Sequence, residues 1–210
     1  MRALFTLLLA AMTCIGGCAS AHYNNVKTGT LQGRLIVEWY DRDKFVFLPD
    51  QNNRLRFTRS DGTVIRPEIM MTDGGSIPRV LWAFKSYSPW GYAPAFIIHD
   101  WLFVAHHDNH PDYNHYTLQE AGLVMSEVMK TMMEDDYNRR GAPRERFVLY
   151  SMYLAVTSAI ARHWWDAGNQ TTTTSTKTST AARYISAEAV GPPHFRGSWV
   201  VEYDAPSDTR

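Results

Sequence analysis

A histidine and an aspartate stand side by side in an otherwise apolar run, Phe96-Ile97-Ile98-His99-Asp100-Trp101-Leu102-Phe103-Val104. An imidazole or carboxylate buried without a charge, a hydrogen bond or a metal costs several kcal/mol, so His99 and Asp100 need partners from elsewhere in the chain. On a helix Asp100 projects about 100° away from His99, and the two side chains address different neighbours. The turn Thr72-Asp73-Gly74-Gly75-Ser76, ahead of Ile77-Pro78, is the natural candidate to meet them. Its paired glycines permit backbone angles closed to other residues, and its amides and hydroxyls can satisfy a buried carboxylate. These residue types suit either acid–base or metal-assisted chemistry or a structural pin between loop and helix.

Other chemistry-bearing residues are weaker candidates. The run His106-His107-Asp108-Asn109-His110 carries ligands suited to zinc or nickel. Pro111 follows at once, however, and Asp108-Asn109 are turn formers, so these histidines are expected at a solvated helix end. Glu134-Asp135-Asp136 before Tyr137-Asn138-Arg139-Arg140 reads as a charge-balanced surface turn. Ser76 lies in no nucleophile-elbow pattern and is better suited to hydrogen bonding within its loop. Trp82, Trp90 and Trp101 could line a groove nearby, or belong to the core.

The elements that must position His99 and Asp100 follow from residue patterning. Leu31 to Tyr40, Lys44 to Leu48, Leu55 to Thr58 and Val64-Ile65 carry β-branched and aromatic residues, with Ser60-Asp61-Gly62-Thr63 as a turn, and predict a small antiparallel meander. Ala95 to about His107 predicts a helix opened by Pro94. Thr117-Leu118-Gln119-Glu120 is a capping-box pattern, and Leu118, Ala121, Met125, Val128 and Met132 form one stripe behind it. A last helix, from Phe147 to about Trp165, is apolar almost all round and is expected to be central. The fold class is α+β, a small antiparallel sheet followed by a three-helix core.

The chain has 210 residues, with Lys+Arg 21 balancing Asp+Glu 21, so neither charge nor motif suggests a nucleic-acid partner. Met1-Arg2 followed by the apolar run Ala3 to Ile15 has the length of a secretory signal rather than a membrane span. The only cysteines, Cys14 and Cys18, fall in or beside it, which leaves the domain without a disulfide. The organisation expected is a signal over 1–17, a polar tether over 18–30, the α+β domain over 31–168, a Thr/Ser-rich linker over 169–181 and a tail over 182–210. That tail contains a candidate strand, Trp199 to Tyr203.

Three resemblances extend this reading. Ile15-Gly16-Gly17-Cys18 resembles the lipobox of bacterial lipoproteins. It implies a mature chain beginning at a lipidated Cys18, held at the cell envelope, on the periplasmic face of an outer membrane, because Ala19-Ser20 lacks the inner-membrane retention Asp. Thr72 to Pro78, Tyr92-Ala93-Pro94-Ala95 and His99-Asp100-Trp101-Leu102 resemble the domain-of-unknown-function 1353 family of phages and bacteria, with Tyr150 to Val156 similar to its last helix. That likeness implies a fold over about Leu31 to Trp165 and no established activity. His99-Asp100 followed by Phe103 is similar to the His-Asp helix of secreted calcium-dependent phospholipases. By that likeness His99 would be the general base for water, and Asp100, with Asp73, would be a ligand or orienting carboxylate for a divalent cation. Phe103 lacks the tyrosine hydroxyl of that helix, and Ala121-Gly122 stands where an orienting Asp is expected. Two functions follow: an envelope or phage-related accessory protein that works by contact with another protein, or a small hydrolase of envelope lipid or peptidoglycan.

Overall fold

Strand β1 (Thr30–Asp41) is the axis of a six-stranded antiparallel sheet. Its side chains alternate inward and outward from Leu31 to Glu38, burying Leu31, Leu35 and Val37 as a half-buried strand requires. The computed structural model describes residues 16–41, 44–72, 91–167 and 198–203. The signal run before Gly16, the Asp73-Gly74-Gly75-Ser76 turn, Trp82, Trp90 and the Thr/Ser-rich linker lie outside the described residues.

Residues Thr30–Gln32 of β1 pair with β3 (Arg56–Thr58), which continues to β4 (Val64–Ile65). From Gly33 onward β1 pairs instead with β6 (Ser198–Tyr203), and from Val37 also with β2 (Lys44–Phe47), which carries β5 (Met70–Thr72) on its far edge. Gly33 is the corner of this curl: its φ is 98°, and a Cβ there would overlap the Arg54 carbonyl. The expected strands are all present, but their order is β4-β3-β1-β2-β5 rather than a simple meander. The candidate strand in the tail is β6.

The helices close over the sheet. Helix α1 covers residues 16–25, α2 is Ala93–His107, α3 Leu118–Arg140, α4 Arg146–Val156 and α5 Ala159–Ala167. Helix α2 is the central one: Ala93 to His99, Trp101, Leu102 and Ala105 are buried. The segment expected to be a central last helix is two short helices, with Phe147, Leu154, Ile160 and Trp164 exposed. It breaks at Thr157-Ser158 because the Thr157 hydroxyl donates to the Tyr153 carbonyl at 2.7 Å, while Ser158 Oγ accepts from the Ala161 amide at 3.3 Å and opens a new helix.

Residues expected as tether are structured. Ala19, Tyr23 and Val26 are buried, and Lys130 Nζ donates to the Tyr23 and Val26 carbonyls at 2.7 Å each. The acidic run is the last turns of α3 rather than a surface turn. Asp135 and Asp136 pair with Arg139 and Arg140 one turn on, and Gly141 in the left-handed region ends the helix.

Candidate functional site at the junction of β5 and α2

Thr72 ends β5 and Asp100 lies in the second turn of α2, and one hydrogen bond joins them: Thr72 Oγ1 donates to Asp100 Oδ2 at 2.6 Å. The other carboxylate oxygen, Oδ1, stands 3.4 Å from His99 Nδ1. Thr72 and His99 are buried and Asp100 is half-buried. A hydroxyl, a carboxylate and an imidazole thus follow one another from sheet edge to helix. The strand supplies Thr72 because its side chain alternates inward after Met70, and the helix supplies His99 on the apolar face beside Phe103, whose ring lies 5.1 Å away. His99 Nε2 is buried and has no hydrogen-bond partner among the described residues. A buried nitrogen of this kind is costly in a purely structural imidazole.

Of the residues singled out from the sequence, the fold brings Thr72, His99 and Asp100 together; Asp73, Gly74, Gly75 and Ser76 lie outside the described residues. Gly122, where an orienting Asp would be needed, is buried against the joint between α4 and α5. An ideal Cβ there would sit 2.5 Å from Thr157 Cγ2. The position is occupied by packing and has no room for a carboxylate. No group of three or more metal-binding side chains occurs among the described residues.

His106 and His107 do lie in the last turn of α2, but they are half-buried there and tie α2 to α5. The His106 ring stacks on Trp165 at 4.0 Å and 18°, and His107 Nε2 lies 3.2 Å from the Trp165 carbonyl. His110 Nδ1 accepts from the Asp112 amide. Phe103 meets Trp165 edge-on at 4.7 Å, so one aromatic cluster runs from His99 through Phe103 to Trp165. Burial holds the His106 imidazole below its ordinary range, as it does for His22 between Tyr150 and Tyr153.

Two polar anchors escaped the sequence reading. Arg59, beyond β3, donates Nε and Nη2 to the two carboxylate oxygens of buried Glu127 at 2.7 and 2.8 Å, bolting the sheet to α3. Arg144 grips Glu134 in the same bidentate way, and Tyr23 Oη donates to that carboxylate at 2.7 Å. The hydrogen bonds from Arg144 hold the Glu134 carboxyl below its ordinary range. Glu127 was detectable only as a charge three residues after Val124 and one before Val128, inside an apolar stripe. A cavity of about 640 Å³ opens elsewhere, lined by Tyr92, Met132, Met133, Arg140, Glu145 and Tyr203, and His99 does not line it.

These features define an α+β domain in which a hydroxyl–carboxylate–imidazole chain joins a sheet edge to a central helix. Residues 52–142 match the model of a family described as protein of unknown function (DUF1353). That span holds the Thr72–Asp100–His99 junction and stops before α4, so it is shorter than the stretch over which the sequence resembles the family. No curated protein and no solved structure matches the chain.

Proposed function

We propose that the protein is an exported, lipid-anchored accessory protein of a bacterial envelope, acting through contacts of its domain, with the Thr72–Asp100–His99 chain as a structural pin. The observation that carries this reading is the position of Cys18: the thiol is exposed, and one residue later Ala19 begins the buried face of α1. An acyl group on Cys18 would hold the domain close to the bilayer, with α1 as a rigid stem in place of a loose tether. Labelled palmitate is expected to enter the wild-type chain and not Cys18→Ser, which should leave the membrane fraction. Label or membrane attachment retained by Cys18→Ser would refute the anchor.

The hydrolase reading is favoured by one observation, the buried Nε2 of His99, which has no hydrogen-bond partner among the described residues, with a carboxylate on its Nδ1 side. In that reading a divalent cation would be held by Asp100 and Asp73. His99→Ala separates the two. A pin predicts a loss of about 2–4 kcal/mol of stability, the range for deleting a large buried side chain, with no metal-dependent turnover of phospholipid or peptidoglycan by the parent chain. A chelator-sensitive hydrolysis abolished in a His99→Ala chain of unchanged melting temperature would establish the enzyme and overturn the pin.

A further inference from the structure

We infer that the exposed apolar face of α4 and α5 is a membrane-contact surface that lies flat on the bilayer interface beside the acylated Cys18. Four large apolar side chains point outward there: Phe147 at 55 %, Leu154 at 49 %, Ile160 at 73 % and Trp164 at 61 % exposure. Phe147 and Leu154 are two turns apart on one side of α4, and Ile160 and Trp164 are one turn apart on α5. Neither helix needs these residues for its own packing. Val148, Leu149 and Met152 face the core from α4, and Trp165 does so from α5. Two consecutive helices that each keep a pair of such residues in the open offer a surface suited to an apolar or interfacial partner.

The identity of that partner follows from where α1 lies. The Tyr23 ring sits near Arg146 at the start of α4, with 5.5 Å between ring centroid and guanidinium. The ring of His22, a residue earlier, meets those of Tyr150 and Tyr153 at a tilt, with centroids 5.4 and 4.4 Å apart. Both contacts seat α1 against α4. Cys18 is exposed and one turn before His22 on the same stripe of α1, about 6 Å along the helix from a ring that touches Tyr150 and Tyr153, and Leu154 beside Tyr153 is exposed. A lipid on Cys18 would enter the bilayer next to α4. Trp and Phe are side chains that partition to the headgroup boundary, with an apolar body buried and, for Trp, an N–H left wet. The inference rests on the lipid-anchor reading above for the choice of bilayer over a protein partner.

The test uses the fact that, once Cys18 is acylated and the leader with Cys14 is removed, no free thiol remains. Ile160→Cys, Trp164→Cys and, as a control on the sheet side, Glu68→Cys are each labelled with an environment-sensitive fluorophore. The lipidated chains are reconstituted into vesicles of phosphatidylethanolamine and phosphatidylglycerol. A blue shift at positions 160 and 164 but not at 68 is expected, with quenching by nitroxide-bearing lipid. No shift at 160 and 164 in a chain that floats with the vesicles overturns the contact surface while leaving the anchor intact. A shift already present without vesicles overturns it in favour of self-association or cover by another part of the chain. If palmitate labelling fails, so that the anchor itself is lost, the labelled chains carrying Cys14→Ser and Cys18→Ser are titrated with the same vesicles. Saturable binding there, weakened roughly tenfold or more by Ile160→Asp with Trp164→Asp, still supports the surface, and absence of binding overturns it.

Discussion

Glu127 illustrates how a single residue can determine how sheet and helix meet. Its carboxylate is 4 % exposed and held by two charge-assisted hydrogen bonds from Arg59. Removing one member of such a pair leaves the other charged, desolvated and alone, a loss of about 3–5 kcal/mol in buried pairs. Arg59 keeps some solvent contact, with a side-chain exposure of 18 %, so the lower end applies to Arg59 left behind by Glu127→Ala. The expected outcome is a fall of about 3 kcal/mol in urea unfolding for Glu127→Ala. The double variant Arg59→Met with Glu127→Leu should recover most of it, because an apolar pair carries no desolvation cost. No recovery in the double variant, or a loss under about 1 kcal/mol in the single one, would mean the pair is not a bolt. The contrast with His99 is instructive. His99 and Asp100 were conspicuous in the sequence because their neighbours are uniformly apolar, and Thr72 because it opens a glycine turn. Glu127 and Arg59 were not, since each sits in an ordinary amphipathic setting and only long-range packing brings them together.

At the level of elements, legibility tracks how local the cause is. Helix α3 starts where the sequence says it should, because the capping box is complete within four residues: Thr117 Oγ1 accepts from the Glu120 amide, and Glu120 accepts from the Thr117 amide at 2.7 Å. Its buried face is wider than the stripe of Leu118, Ala121, Met125 and Val128, taking in Gly122, Val124, Ser126 and Glu127, because α3 packs against the sheet, α2 and α4 at once. Helix α1 was concealed by composition. Ala19, Tyr23 and Val26 have helical spacing, but the intervening residues are polar and Asn-rich. The break between α4 and α5 was missed because no Gly or Pro marks it, only a Thr-Ser pair whose side chains compete for the backbone. That break has a consequence for α3. Thr157 is fixed by its bond to the Tyr153 carbonyl, and its methyl group fills the space a side chain at 122 would need. Gly122→Ala should therefore be destabilising by about 1 kcal/mol net, overpacking outweighing the gain in helix propensity. Thr157→Ser keeps the hydroxyl and deletes the methyl, so Gly122→Ala with Thr157→Ser should be more stable than Gly122→Ala alone. Thermal unfolding of the three variants measures this, and a stabilising Gly122→Ala would show that the α3–α4 contact yields freely.

For the whole molecule, stability should respond to acid in two stages, each traceable to named groups. His22, between the rings of Tyr150 and Tyr153, and His106, stacked on Trp165, are held below the ordinary histidine value of 6.5 by burial. As pH falls through that value the unfolded chain binds protons that the folded chain refuses, so the folded state loses ground. Glu134 is held below its ordinary value of 4.5 first by the hydrogen bonds from Arg144, and Glu120 first by the Thr117 amide. Their contribution is complete above that value and is lost as pH falls through the lower folded value, again because the unfolded chain takes up protons first. Both stages have the same sign, and they involve different joints: α1 against α4 and α2 against α5 in the first, the end and the start of α3 in the second. The urea midpoint should therefore drop between about pH 7.5 and about pH 5.5, and drop again below about pH 4.5. His22→Phe, which keeps an aromatic ring between the two tyrosines and removes the titrating nitrogen, should flatten part of the first drop and leave the second unchanged. A midpoint that is level down to about pH 5 in the parent chain would mean that the two imidazoles take up protons in the folded state as easily as in the unfolded one, and that α1 and α5 are not tightly seated on the domain.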